Sequence, residues 1–195
     1  MTNSTISFKP VFASTFESMT DDEGYLINQK ELSCFEICDK AIAIFRSSKD
    51  IKQSRKIAKE SWGLELPAVL GISDGDDGMQ CFWISPDEYW IIHPRFQRDA
   101  FWQKSINLEN NMSLVDNSGA YGALRFSGNN VGKLLSRWMG YDIYGKLENG
   151  KVVSTTLGQA PVVAYRENDH ELMLLVRHSF SHYVAGLLTD SAKRL

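Results

Sequence analysis

Apolar residues recur at two spacings along this chain, and the switches between the spacings mark its elements. From Cys34 to Arg46 the run CFEICDKAIAIFR carries Phe35, Ile37, Ile42, Ile44 and Phe45 around an Asp39-Lys40 turn, which predicts two short strands. Over 50–62 the spacing becomes helical, with Ile51, Ala58 and Trp62 on one face and Lys52, Arg55, Lys56 and Lys59 on the other. Gly63 stands where such a helix stops. After Leu66-Pro67 and the turn-rich stretch 73–78, MQCFWIS and EYWIIH read as two strands joined by Pro86-Asp87. Pro94 suits a first helical position, with Phe96, Ala100 and Phe101 as the apolar stripe behind it.

The second half uses the same grammar. Strands are predicted over 114–117 and 122–126, then a helix over about 129–139 with Val131, Leu134, Leu135 and Trp138 on one face and Gly140 at its close. Three strand runs follow at 151–157, 161–166 and 171–177, turned at Gly158-Gln159 and Asn168-Asp169. A last helix from Ser179, read as its N-cap, presents Phe180, Val184, Leu187 and Leu188. The order is ββα-ββα followed by ββα-βββα, a duplicated unit in topology. Residues 1–31, with an acidic turn at Asp21-Asp22-Glu23-Gly24, read as a polar N-terminal arm without its own core. No linker rich in Pro, Gly or Ser divides the rest, so 32–195 is expected to form one interlocked α+β domain, helices covering an antiparallel or mixed sheet, with halves of about 32–110 and 111–195.

Composition narrows the partners. Lys and Arg total 21 against 24 Asp and Glu, a net charge of -3, so no global basic field would attract nucleic acid. Apolar runs stay strand-sized, well short of the roughly 18 residues a membrane helix needs. The opening residues lack the pattern of a signal peptide, and three cysteines at uneven spacing fit reduced thiols, so a cytoplasmic address is expected. The sequons at Asn3-Ser4-Thr5 and Asn111-Met112-Ser113 then carry no meaning. Five Trp, seven Tyr and ten Phe form a ring-rich composition suited to cores and subunit interfaces.

Candidate chemistry is sparse. His178 and His182 stand four apart on the last predicted helix, a zinc spacing, but no third ligand accompanies them and a polar helix face is the better reading. Asp116, His178 and Ser179 could be drawn as a hydrolase triad, yet neither a nucleophile turn nor an oxyanion hole is visible. No Gly-rich dinucleotide or phosphate loop occurs, and Asp74, Asp76 and Asp77 miss the pattern of a calcium loop. The stripe Lys52, Arg55, Lys56 and Lys59 could meet an acidic surface or a polyglutamylated folate, though a solvated helix face explains it more simply.

One set of motifs is specific. The run from Trp83 through Pro86, Asp87, Glu88 and Trp90 to Ile92 resembles the W-x-G-P-D-E-W signature of the gamma subunit of heterotetrameric sarcosine oxidase, with Ser85 in place of Gly. In the family's order come Val115-Asp116-Asn117-Ser118, similar to its V-D-x-S, then Leu124-Arg125-Phe126-Ser127-Gly128, similar to L-R-L-S-G, then Leu134-Leu135. Leu174 to Tyr183, with Arg177, Ser179 and Phe180, resembles its V-x-R-S-F-A-x-Y ending, interrupted by His178; the family's Gly-Arg turn is Gly119-Ala120 here. Leu64-Glu65-Leu66-Pro67 and Gly140-Tyr141-Asp142-Ile143 also fit.

The resemblance implies a folate-binding-domain fold like that of the glycine-cleavage aminomethyltransferase (T-protein): two β2-α-β2/3-α subdomains that exchange first strands. It implies a noncatalytic gamma-type subunit of an assembly that demethylates sarcosine oxidatively to glycine, giving formaldehyde or methylene-tetrahydrofolate and hydrogen peroxide. No cofactor is expected in this chain; FAD, FMN, NAD and zinc would reside on alpha, beta and delta partner subunits, with tetrahydrofolate as co-substrate. The signature residues Trp83, Pro86, Asp87, Glu88, Trp90, Asp116, Ser118, Arg125, Gly128, Arg177, Ser179 and Phe180 would be structural, and the turn chemistry of Pro86-Asp87-Glu88 suggests carboxylates that cap neighbouring backbone or pair with a base such as Arg125 or Arg177. Trp83 and Trp90 are expected in the core, Trp62 or Trp102 at an interface. The alternative is a free-standing folate-binding or aminomethyltransferase-like protein, for which the chain is short and the K-G-C-Y-x-G-Q-E signature of one folate-dependent relative is missing.

Overall fold

The computed structural model describes residues 10–12, 20–21, 24–47, 49–105, 108 and 111–195. Most of the stretch read as an arm lies outside the described residues, including the first sequon and Asp22-Glu23 of the acidic turn. Sheet formation nevertheless begins inside it. Strand β1 (Tyr25–Gln29) pairs antiparallel with β2 (Leu32–Ile37). Further upstream, the backbone N–H groups of Val11 and Phe12 donate to the Glu36 carboxylate at 2.8 and 2.9 Å, which seats both side chains in the core.

Two all-antiparallel sheets form from the described strands. One runs in the order β4 (Ile72–Asp74), β5 (Gln80–Ser85), β6 (Glu88–Pro94), β3 (Lys40–Arg46) and β7 (Ser113–Asp116). The other runs β1, β2, β8 (Tyr121–Ser127), β11 (Glu171–Arg177), β10 (Ala160–Asn168) and β9 (Val152–Leu157). Thus β1 and β2, early in the chain, join the C-terminal sheet, and β7 crosses to the N-terminal one. The sheet order interlocks the two ends of the chain.

Helices cover the outer faces. Helix α1 (Ile51–Trp62) starts where Asp50 accepts from the Lys52 and Gln53 N–H groups and stops where Gly63 turns left-handed at φ 69°. It buries Ser54, Ala58 and Trp62 over the five-stranded sheet and leaves its basic stripe outside, where Lys59 pairs with Glu65. Trp62 is not the interface residue its helical position suggested. At 1% exposure it stacks on Phe101, meets Phe45 edge-on and donates its Nε1–H to the Ser105 hydroxyl at 3.1 Å. A side chain of that size adds about 3 kcal/mol by burial alone. Helix α2 (Arg98–Lys104) supplies Phe101. Pro94 does not begin it: Pro94 ends β6 in extended conformation, and a 3₁₀ turn over 95–97 intervenes. Phe96 therefore points outward, 85% exposed, and only Phe101 of the predicted stripe is buried.

The six-stranded sheet is covered by α3 (Val131–Leu135), α4 (Ile143–Lys146) and α5 (Ser181–Ala192). Helix α3 is shorter than its apolar pattern, and Trp138 lies beyond it, partly exposed, with Nε1–H on the Ser191 hydroxyl at 2.7 Å. Ser179 is not the N-cap of α5. It sits in a 3₁₀ turn over 178–180, and Phe180 holds the cap position. Between the sheets lies a third core of Ile42, Phe82, Trp90, Ile92, Val163, Tyr165, Met173 and Leu175, centred on the edge-on contact of Phe82 and Tyr165 at 4.6 Å. The sheets are also tied by polar bonds. Val152 N–H donates to the Leu70 carbonyl and Ile72 N–H to that of Gly150, both at 2.9 Å, and Lys40 of β3 pairs with Glu167 of β10 at 3.0 Å.

Candidate functional site

Where the sheets part, a cleft of about 550 Å³ opens. Register builds it. Across the five-stranded sheet, Val115, Ile44, Trp90, Phe82 and Ile72 stand opposite one another in one row, with Arg46 opposite Glu88 in the next. Across the other sheet, Ala123, Leu175, Val163 and Ser154 form a row, and Tyr121 stands opposite Arg177. Period-two alternation directs each of these rows to a single face. The rows enclose apolar surface at their centres and leave Glu88, Tyr121, Arg177, Ser154 and Thr156 around the opening.

Five signature residues meet at this cleft: Glu88, Trp90, Arg177, Ser179 and Phe180. Trp90 donates its Nε1–H to Glu88 at 2.7 Å and meets the Tyr121 ring edge-on at 4.7 Å. Arg177 lies 5.7 Å over that ring and donates its Nε–H to the Tyr121 hydroxyl at 3.1 Å. The carboxylates of the Pro-Asp-Glu turn do not pair with Arg125 or Arg177. Both meet Arg46, Asp87 at 3.2 Å and Glu88 in a closer pair, because antiparallel register places Arg46 directly across from Glu88. Sequence reasoning missed Arg46. No local pattern marks it: Arg46 ends β3, and only the antiparallel pairing of β3 with β6 sets it opposite Glu88.

The other signature residues are held elsewhere. Asp116 accepts from Arg98 of α2 at 2.8 Å and from the Ser118 N–H at 3.0 Å, while the buried Ser118 hydroxyl accepts from the Ile42 N–H at 3.0 Å. Burial pushes the Asp116 carboxyl up, but the bonds from Ser118 and the Arg98 charge outweigh it and hold the carboxyl below its usual range. Arg125 lies over the Phe35 ring at 5.5 Å and reaches Glu171 at 3.7 Å. Gly128 turns left-handed at φ 109° where a Cβ would stand 2.3 Å from the Glu31 carbonyl oxygen. Trp83 packs on the α1 side and is partly buried, and Pro86 forms the β5–β6 turn.

The nucleophile candidates are not assembled. Asp116 belongs to the five-stranded sheet and is bound by Arg98, whereas His178 and Ser179 are exposed on the turn after β11. Burial pushes the Cys38 thiol up to about 11 and that of Cys81 up to about 12, so both stay protonated at neutral pH. Among the described residues, no three or more His, Cys, Asp or Glu side chains are grouped to hold a metal ion. No helix among them is long and apolar enough to cross a membrane.

Comparison with known proteins agrees with the motif order. Residues 52–194 match the family model described as sarcosine oxidase, gamma subunit family. Sarcosine oxidase subunit gamma of Corynebacterium sp. (strain P-1) is 25% identical over 134 residues, 68% of this chain and 66% of the relative, just under two thirds of that protein's length. A chain of heterotetrameric sarcosine oxidase from Corynebacterium sp. U-96, solved in complex with pyrrole 2-carboxylate, superposes with a TM-score of 0.79 at 17% identity, over 96% of this chain and 95% of that one. The glycine cleavage system aminomethyltransferase T of Bartonella henselae has the same fold at a TM-score of 0.60 and 9% identity, over 81% of this chain and 45% of that one. The α+β architecture of two antiparallel sheets is therefore shared with the T-protein, and the chain belongs to the sarcosine oxidase gamma subunit family.

Proposed function

We propose that the chain is a noncatalytic gamma-type subunit of a multi-subunit sarcosine oxidase. The assembly would convert sarcosine, dioxygen and water to glycine, formaldehyde and hydrogen peroxide, or pass the one-carbon unit to tetrahydrofolate as methylene-tetrahydrofolate. Its flavins, NAD and zinc would lie on alpha, beta and delta partners. The observation that carries this reading is end-to-end correspondence with one chain of a heterotetrameric sarcosine oxidase, 96% of this chain against 95% of that one.

The site supports a structural role. Glu88, Asp116, Ser118 and Arg125 each contact a neighbouring element, which is how residues that fix a fold behave. The strand exchange between the sheets fits a duplicated subdomain plan, with halves of about 32–110 and 111–195. Genetic complementation tests the role: cells deprived of the chain should lose sarcosine-dependent peroxide formation and regain it when the chain is restored. Full peroxide formation in its absence would contradict the proposal.

A further inference from the structure

We propose that the cavity at the start of helix α5 is an oxyanion site that takes a phosphate group, held by Ser181, His178, His182 and Arg177 at the N-terminus of the helix. The inference concerns the chain itself and does not depend on the assembly role proposed above.

The cavity, of about 780 Å³, lies where the turn joining β7 to β8 meets the first turns of the last helix. Gly119 and Ala120 line it from the turn, and Arg177, His178, Ser179, Ser181 and His182 line it from the helix start. The His178 N–H donates to the Ala120 carbonyl at 2.8 Å, which fixes these two walls against each other. A Cβ at Gly119 would meet nothing within 4 Å, so the turn leaves the space open.

Helix α5 is twelve residues long, and neither it nor the 3₁₀ turn over 178–180 that leads into it is capped by a side chain. The start of such a helix carries a partial positive charge and N–H groups directed along the axis, which together favour an anion. Ser181 adds an independent sign. It is 1% exposed and lines the cavity, and its hydroxyl forms no hydrogen bond among the described residues. Buried hydroxyls in folded chains are nearly always bonded, so one left over at a cavity wall is a donor kept for whatever enters.

Charge selects the class of ligand. Among the described residues that line the cavity none is acidic, whereas Arg177, His178 and His182 bring a guanidinium and two imidazoles. Arg177 has its Nε on the Tyr121 hydroxyl, and its terminal nitrogens form no hydrogen bond or ion pair among the described residues. A carboxylate offers two oxygens to such a set. A phosphate group offers at least three and a charge of about −1.5 to −2, which matches a guanidinium, imidazole N–H groups, hydroxyls and a helix start acting together.

Isothermal titration of the full-length chain with inorganic phosphate, at constant ionic strength so that general screening does not change, tests the proposal. One saturable site with a Kd on the order of 1 mM or tighter is expected. Ser181→Ala should weaken binding at least about tenfold, the loss of one hydrogen bond to a charged group, at an unchanged melting temperature of the phosphate-free chain. His178→Gln should weaken it as well. If Ser181→Ala does not fold, His178→Gln and the competition experiments decide. Sulfate should compete with phosphate, and acetate should not. Glycerol 3-phosphate binding as tightly as phosphate would support a phosphomonoester as the ligand, and its exclusion would support the free ion. Absence of saturable heat, acetate competing on equal terms, or full phosphate affinity in Ser181→Ala would each overturn the site.

Discussion

Asp116 on β7 and Arg98 on α2 are joined at 2.8 Å, a bond that fastens the edge strand of the five-stranded sheet to the helix beside it. The same carboxylate accepts from the Ser118 N–H, and Ser118 in turn bonds the backbone of β3 at Ile42. This signature stretch is thus a three-element clasp. Asp116→Asn should lower stability by about 1–2 kcal/mol in urea unfolding, in the range of hydrogen bonds to charged groups and discounted for partial exposure.

The clasp has a pH signature. The folded Asp116 carboxyl titrates below its unfolded value, so its contribution is present above the unfolded pKa and is lost as pH falls through the folded one. Unfolding midpoints measured from neutral pH down through the carboxylate range should fall for the wild type. The fall should be shallower for Asp116→Asn. Parallel pH profiles would refute the clasp.

Trp62 joins α1, β3 and α2 through Phe45, Phe101 and Ser105. Trp62→Ala should cost about 3–5 kcal/mol in chemical denaturation, as a large cavity in a core does. Trp62→Phe keeps most of the volume but strands the Ser105 acceptor, and should cost about 1–2 kcal/mol. A near-neutral Trp62→Ala would contradict its place at the centre of this core.

Gly128 and Gly140 make a matched pair. Alanine at Gly128 would meet the Glu31 backbone in a left-handed conformation, whereas a Cβ at Gly140 meets nothing within 4 Å. Gly128→Ala should destabilise by about 1–3 kcal/mol and Gly140→Ala by no more than about 0.5 kcal/mol, read from thermal unfolding.

The free-standing folate reading makes its own prediction. Calorimetry with tetrahydrofolate on the isolated chain should show saturable micromolar binding if the chain is a folate protein in its own right, and no saturable heat if the subunit reading holds.

Elements that announce themselves locally were legible in the sequence. Helix α1 carries its basic outer face and its Gly63 stop, and β5 and β6 flank a Pro-Asp turn with apolar runs on both sides. What depends on distant partners was not. Strand β1 lies in a polar stretch and exists because β2 pairs with it, while β4 is three residues long beside a row of aspartates. The helical period placed Trp62 on the correct face of α1 but could not say that Phe101 and Ser105 would close over it. The motif order pointed to the family, yet the gathering of Glu88, Trp90 and Arg177 at one cleft follows from the packing of one sheet on the other, which brings together residues about 90 positions apart in the chain.

Native mass measurement tests the central claim most directly. A tagged full-length chain recovered from cells growing on sarcosine should appear in an assembly with three further polypeptides, bearing bound flavin and producing hydrogen peroxide from sarcosine. Recovery of the chain alone, or in an assembly without flavin or sarcosine turnover, would contradict the account.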